Sequence, residues 1–370
     1  MFNPHSEDWL KNKFKYYELI RNNNSLYFSE KYNSYIITRF VDVQSSLLNT
    51  EIFSSARGNL VVESPHRFGK TLGASDDPVH SMYKSIVKEA YSKENISRIV
   101  ENSVAVLDFG NSNQINISNI IKKLSATVTC DILNLPVDRN SLINLIMQIQ
   151  QYSPKTVLVN PNPIYDAQLN KILDALMISK KESNGPGIYQ EVLKNNGEAV
   201  RSLFTGPTIS GASSMTGALE FLTLDLYREG QLEMLLNNLH LIPEAVNESI
   251  RFNSSTGRFS RTVTTDVIIQ GTHLKEGDRV ILCLDAANRD PFHFTDVNSF
   301  YLNRKEQNLG FGYGPHACIA LAISKAVMIA YLQKLLSSFG KYKVLSEGSY
   351  LLSASGNNDM IDDIIIEKVR

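Results

Sequence analysis

Phe311-Gly-Tyr-Gly-Pro-His-Ala-Cys-Ile-Ala320 is the stretch on which the reading of this chain turns. It sets two glycines at alternate positions, then a histidine and a cysteine, and an apolar segment of helical character follows at once. Glycine lets a backbone turn tightly and approach a flat cofactor with no Cβ between them. A cysteine at the mouth of a helix gains thiolate character from the helix dipole. The segment therefore reads as a cage around a metal-bound thiolate, with Cys318 as the ligand. A Gly-rich turn leading into a core helix would use the same glycines and bury the cysteine as a small apolar side chain. The flanking residues decide between the two.

The loop resembles the cysteine-ligand loop of the cytochrome P450 family, F-G-x-G-x-H-x-C-x-G, at every named position through the cysteine; Ala320 replaces the last glycine. Upstream, Glu248-Ser-Ile-Arg251 resembles the family's E-x-x-R motif on the helix called K. Alone, that spacing arises in any charged helix. Here it is followed in order by Arg261 five residues before Asp266, by G-T-H-L-K-E-G-D-R-V, by Ala287-Asn-Arg-Asp-Pro291, and by Phe300 and Arg304. Before residue 240 the likeness is looser, resting on D-D-P-V-H around His80 and on V-D-V-Q-S-S-L-L near Val41.

The resemblance implies haem b, with Cys318 as the axial ligand and Phe311 and Gly312 in the loop around it. An anionic sulfur opposite the oxygen site pushes electron density onto iron and favours O–O cleavage. His316, His80 and Arg261 fall where the family pairs cationic or hydrogen-bonding groups with the two haem propionates, which need compensation once buried. Lys84 stands where the family commonly has a second propionate-binding arginine, and it offers a point charge without the bidentate fork. Glu248 and Arg251 are expected to form a structural ion pair pinning their helix to the loop near Arg289 or Arg304.

Composition agrees: 370 residues, 43% hydrophobic, 20% charged and a formal charge of −1 suit a globular protein with a large core. No apolar run is long enough to span a bilayer, and M-F-N-P-H-S-E-D-W-L-K-N-K is polar rather than signal-like, which predicts a cytoplasmic protein. Cys130, Cys283 and Cys318 form neither a disulfide framework nor a zinc pattern. Near-neutral charge argues against nucleic-acid or membrane binding. With no linker and no repeat, one monomeric domain over residues 1–370 is the simplest organisation.

The pattern predicts a mainly α protein with small β-sheets (α+β), the fold that the resemblance implies. A hairpin is expected near 26–40, and helices over Val79 to Tyr91, Ile117 to Leu133, Ile164 to Lys181, Glu198 to Tyr227 and Pro243 to Phe252. Arg258 to Cys283 turns β-branched and alternating, which reads as a small sheet. A last helix from Cys318 to Phe339 and a strand-rich end complete the outline. The β-richer parts are about 1–60 and 258–310, the helical core about 77–252 and 318–340.

The helix over the haem departs from the family. Its usual A-G-x-[DE]-T supplies an acid and an alcohol that carry protons to the site of O–O cleavage. Counting back from Glu248 without gaps sets Ala212 at the acid and Ser213 at the alcohol; a shift of one residue sets Gly211 on the family's glycine and Ser214 at the alcohol. The acid is missing in either register, since no carboxylate stands between Glu198 and Glu220. Gly206-Pro207 removes a backbone donor and predicts a kink that widens the pocket.

Three functions follow. The first is a haem-thiolate monooxygenase of bacterial secondary metabolism, acting on a small organic substrate with O2, in which Ser213 or Ser214 holds a water and the substrate supplies the missing group. The second is an oxidase that uses peroxide or performs desaturation, cyclisation or coupling, and the third a non-catalytic haem-binding or sensor protein. The expected pocket is Val61 to Leu72, Thr205 to Ser214 (with Gly206, Ile209 and Ser210), Ser255 to Phe259, and Tyr350 to Ala354. His66, Arg67, Lys70 and Arg258 in those loops suggest a carboxylate-bearing or carrier-tethered substrate. Electrons are expected from a ferredoxin or flavodoxin with its reductase, docking on a basic patch that includes Lys325, because the chain shows no flavin or iron–sulfur signature of its own.

Overall fold

The computed structural model describes residues 1–23, 26–63, 68–152, 163–195, 201–204, 206–353 and 355–369. Where hydrophobic periodicity was strongest, helices form at the expected places. Val79–Val87 runs on as a 3-10 turn to Tyr91, Ile117–Leu133 is one helix, and Pro163–Ser179 and Ile242–Phe252 match the expected segments. Asn116 opens the Ile117–Leu133 helix by accepting the Asn119 N–H, and Asn134 closes it in the left-handed region at φ 48°. Helices at Glu7–Arg21, Phe40–Leu48, Lys93–Ala105 and Arg139–Tyr152 join them.

The hairpin expected at 26–40 is present as Tyr27–Ser29 and Ser34–Ile37 around a 3-10 turn. It extends into a five-stranded sheet in the spatial order Tyr27–Ser29, Ser34–Ile37, Arg279–Cys283, Arg258–Val263 and Phe53–Ser54. All of its pairs are antiparallel except Ser34–Ile37 with Arg279–Cys283. Near the C-terminus, Tyr350–Leu352 pairs with Asp359–Ile361, and Ile365–Lys368 lies between Gln114–Asn116 and Tyr342–Ser346.

The largest apolar cluster fills the helical part, where Ala212–Arg228 packs against Ile117–Leu133 and Ile242–Phe252, and Leu321–Ser338 packs against Lys93–Ala105. A second cluster lies between the sheet and the Phe40–Leu48 helix. No helix among the described residues is long and apolar enough to cross a membrane.

Two local expectations need correction. The last helix runs Leu321–Ser338 rather than from Cys318, so the cysteine sits in the loop ahead of it. The long helix is not continuous: Arg201–Phe204 is 3-10, Gly206–Gly211 winds as a π-helix, and only Ala212–Arg228 is α-helical, while 196–200 and Thr205 lie outside the described residues. Pro207, which has no N–H to donate, falls inside the π segment.

Farther along that helix, Glu220 is fully buried. Its Oε2 accepts the Ile361 N–H at 3.0 Å, while Oε1 has no partner among the described residues. Burial pushes this carboxyl up from its ordinary 4.5 to about 8, against the opposing pull of the Ile361 N–H and Lys122. Between those values the folded chain keeps a proton that the unfolded chain has released, so stability falls as pH rises through the window. Glu220→Gln removes that contribution. The wild-type urea midpoint should fall more steeply than the variant's from about pH 5 to 8, and parallel curves would mean that Glu220 is ionised in the fold.

Candidate functional site

The loop before Cys318 is shaped by glycines that cannot be replaced without strain. Gly312 and Gly314 have φ of 72° and 71°, and a Cβ on Gly314 would stand 3.0 Å from the Leu47 carbonyl oxygen. A Cβ on Gly310 would stand 2.4 Å from the Ile250 side chain, so that glycine lets the loop lie against the Ile242–Phe252 helix. Cys318 N–H donates to Phe311 O at 2.8 Å, closing the loop on itself. Ala320, where the motif has glycine, adopts φ −86°, which any residue tolerates.

Cys318 is accessible, and it lines an internal cavity of about 440 Å³. Burial among the surrounding atoms raises its thiol pKa, and the Ala320 N–H opposes the rise. The dipole effect expected from sequence does not prevail in the protein alone. A thiol becomes a thiolate outright when it coordinates a metal.

Beside Cys318 the cavity wall is cationic. His80 and His316 lie with ring centroids 4.0 Å apart, and Lys84 Nζ, one turn on from His80, donates to Pro315 O at 2.9 Å. Arg261 is buried, donates to Ser260 O at 2.8 Å, and leaves Nε with no partner among the described residues. Burial, reinforced by Arg261, His80 and Lys84, pushes His316 down to about 3, and burial lowers Arg261 to about 10. The nearest carboxylate in contact is Asp77, 3.8 Å from His80 Nδ1. An orphaned guanidinium N–H, the Lys84 ammonium and two imidazoles held toward their neutral forms beside them call for anions in the cavity, as two propionates would provide. The site thus fits haem: Cys318 for iron, and His80, Lys84, Arg261 and His316 for the carboxylates. Phe311 and Gly312 line the same cavity.

Glu248 and Arg251 lie behind this loop, both buried and 2.7 Å apart. Arg304 joins Glu248 at 3.1 Å, which answers the question left open between Arg289 and Arg304. Arg289 instead donates to Phe252 O and stacks on the Phe14 and Phe252 rings.

The opposite wall is the Gly206–Arg228 segment. Its accessible stripe runs Pro207, Ser210, Gly211, Ser214 and Ala218, residues three and four apart that all line the cavity. Ser213 also lines it but is 4% exposed, donates to Ser210 O at 3.3 Å and accepts from Asn358 Nδ2 at 3.0 Å. Ser214 is half-buried and donates to Gly211 O at 3.1 Å. Gly206 lines the cavity, Ile209 lies within the π segment, and Thr205, His66, Arg67 and Ala354 lie outside the described residues.

Arg258 is not a pocket residue. It is 0% exposed and pairs with Asp359 and, at 3.3 Å, with Asp285; Lys13 pairs with Asp359 at 2.7 Å. The reason is strand geometry, because side chains alternate across a sheet. Phe259 and Arg261 face the cavity, and Arg258 faces away from it into this neutral ion cluster. Lys70 is exposed and does not line the cavity. Sequence reasoning missed the polar turn after the last pocket segment. Ser353, inside the expected segment, lines the cavity, but so do Ser355, Asn357 and Asn358 beyond it, and the signal for them was the run S-A-S-G-N-N-D, dense in turn-forming residues.

A sequence profile described as Cytochrome P450 matches residues 229–349, which include the E-x-x-R helix and the Cys318 loop. The chain is 25% identical over 357 residues to Cytochrome P450(BM-1) of Priestia megaterium, covering 88% of this chain and 86% of that one. It is 23% identical over 319 residues to a steroid C26-monooxygenase of Mycolicibacterium smegmatis, covering 78% and 76%. Among solved structures, CalO2 superposes with a TM-score of 0.84 at 15% identity over 100% of this chain and 98% of its own. P450BioI, solved with a fatty-acyl-ligated acyl carrier protein, gives 0.83 at 20% identity over 98% and 100%. The loop, the buried pair behind it and these relatives agree that the chain belongs to the cytochrome P450 family and is a haem-dependent monooxygenase.

Proposed function

We propose that Cys318 ligates the haem iron and that the enzyme oxidises a small organic substrate, with protons delivered through Ser214, an ordered water and a polar group of the substrate. The observation that carries this reading is the accessible stripe of the helix over the cavity, where Ser210 and Ser214 are the hydroxyl-bearing residues and no carboxylate appears before Glu220. Bound haem supplies oxygen activation and insertion. The chain's own residues hold its carboxylates at the cationic corner, exclude bulk water, and present a hydroxyl that can pass a proton at Ser214 Oγ. A hydroxyl near its ordinary pKa is a poor acid, so it relays rather than supplies the proton.

The pocket supports a neutral, hydrogen-bonding substrate better than an anionic one. The arginine expected to receive a carboxylate is engaged with Asp285 and Asp359, and the polar groups on the C-terminal wall are serine and asparagine side chains. Electrons come, in this reading, from a separate ferredoxin or flavodoxin system. The missing acid also favours a second reading, direct use of peroxide, because a peroxide oxidant already carries the protons that a dioxygen route must import.

Ser214→Ala should keep haem and substrate binding but lower product formed per NADH oxidised by about 10-fold or more, the scale on which a positioned proton donor acts. Unchanged yield in that variant, together with turnover driven equally well by hydrogen peroxide, would favour the peroxide reading. Cys318→Ala should abolish the red-shifted band of the reduced carbon monoxide complex that marks a thiolate ligand. A band retained in that variant would move the ligand elsewhere.

A further inference from the structure

Asn358 stands where three walls of the cavity meet. Its Nδ2 donates to Ser213 Oγ on the helix over the cavity, and its Oδ1 accepts from Thr256 Oγ1, both at 3.0 Å. Its backbone N–H donates to Ser353 Oγ, also at 3.0 Å. All four residues line the cavity, and Asn358 is itself buried.

The consequence for Ser213 follows from counting protons. A serine hydroxyl has one to give and two lone pairs to receive with. The Asn358 amide takes one lone pair of Ser213 while Ser213 donates to Ser210 O at 3.3 Å, so this hydroxyl ties its helix to the C-terminal turn. Ser214 likewise donates within the helix, to Gly211 O at 3.1 Å, but none of its described bonds ties it to another wall, and its side chain keeps more surface in the cavity than Ser213 does.

The brace falls where the helix is weakest. Gly206–Gly211 is π-wound, contains Pro207, and is bounded by two glycines that contribute no side-chain packing. One turn after Ser213, Gly217 lets the Asp359 backbone approach so closely that a Cβ there would stand 2.3 Å from its carbonyl oxygen. The C-terminal turn therefore rests directly against the α-helical start of this segment, and Asn358 is the side chain that reaches across.

We propose that Asn358 is a positioning residue for oxygen activation: by bridging Ser213 and Thr256 it holds the π–α junction against the C-terminal turn and keeps Ser214 turned to the cavity. The proposal rests on the reading that protons pass through a hydroxyl of this helix.

The test uses the haem-loaded full chain and two readouts: amide hydrogen exchange over residues 206–228, and product formed per NADH oxidised with a surrogate ferredoxin and reductase. Asn358→Leu should speed exchange over 206–214 by about 3- to 10-fold, the shift one neutral hydrogen bond supports, and leave 219–228 unchanged. Product yield should fall over a similar range. Ser213→Ala should produce the same exchange change, and the double variant should be no worse than either single one, since both remove one bridge. Asn358→Asp replaces a donor by an acceptor, turns the Ser213 proton toward the cavity wall, and should give product yield a pH dependence that the parent lacks. Unchanged exchange in Asn358→Leu or additive losses in the double variant would each overturn the positioning role. Normal yield in Ser214→Ala with the expected exchange pattern would leave the brace standing and overturn only the proton route assigned to Ser214.

Discussion

Glu248 and Arg251 lie one turn apart on the Ile242–Phe252 helix, out of water, and between them collect the backbone of the segment that leads to Cys318. Arg251 donates to the carbonyls of Asn288, Val297 and Ser299, and Glu248 accepts the Tyr301 N–H and the Arg304 side chain. Asn288, held at its carbonyl, uses its own side chain to accept the Leu309 N–H at 2.7 Å. Leu309 is where the ligand loop begins. A buried ion pair is weak evidence for stability, because desolvation offsets its attraction. Its value here is directional: each unsatisfied donor or acceptor on the pair can be filled only by one backbone path, and that path delivers the cysteine to the cavity.

The cationic corner obeys the opposite logic. Where Glu248 and Arg251 satisfy each other, His80, Lys84, Arg261 and His316 gather four basic side chains against Asp76 and Asp77, leaving a guanidinium N–H unfilled among the described residues. Such an arrangement is costly without a ligand and favourable with one, since charge-assisted bonds to a dianion replace repulsion. Part of the fold's stability is thereby deferred until haem binds, in the way that any ligand confined to the native state stabilises it.

Legibility from sequence followed the kind of constraint involved. The ligand loop was readable because its glycines are required by positive φ at Gly312 and Gly314 and by close approach at Gly310, demands that leave few residue choices. The Ile117–Leu133 helix was readable to its last residue because Asn caps both ends. Arg258 was misplaced although the information was present: it and Arg261 are an odd number of residues apart on one strand, which sends them to opposite faces. The discontinuity between 201 and 212 was visible only as a kink, since glycine and proline mark a break without stating which winding replaces it. Asn358 was invisible for a different reason. Its partners, Ser213 and Thr256, are 145 and 102 residues away, and no local pattern encodes so distant a bond.

The neutral cluster of Lys13, Arg258, Asp285 and Asp359 sets an order on how the molecule can be completed. Lys13 and Asp359 are 346 residues apart, and the two cations, Lys13 and Arg258, have only Asp285 between them until the Asp359 segment docks. The wall carrying Asn357 and Asn358 is the same stretch of chain. Until it arrives, the cavity is open on that side and the sheet beneath it carries uncompensated charge. Closure of the pocket and neutralisation of the cluster are therefore one event, because Asp359 is the next residue after the wall residues Asn357 and Asn358.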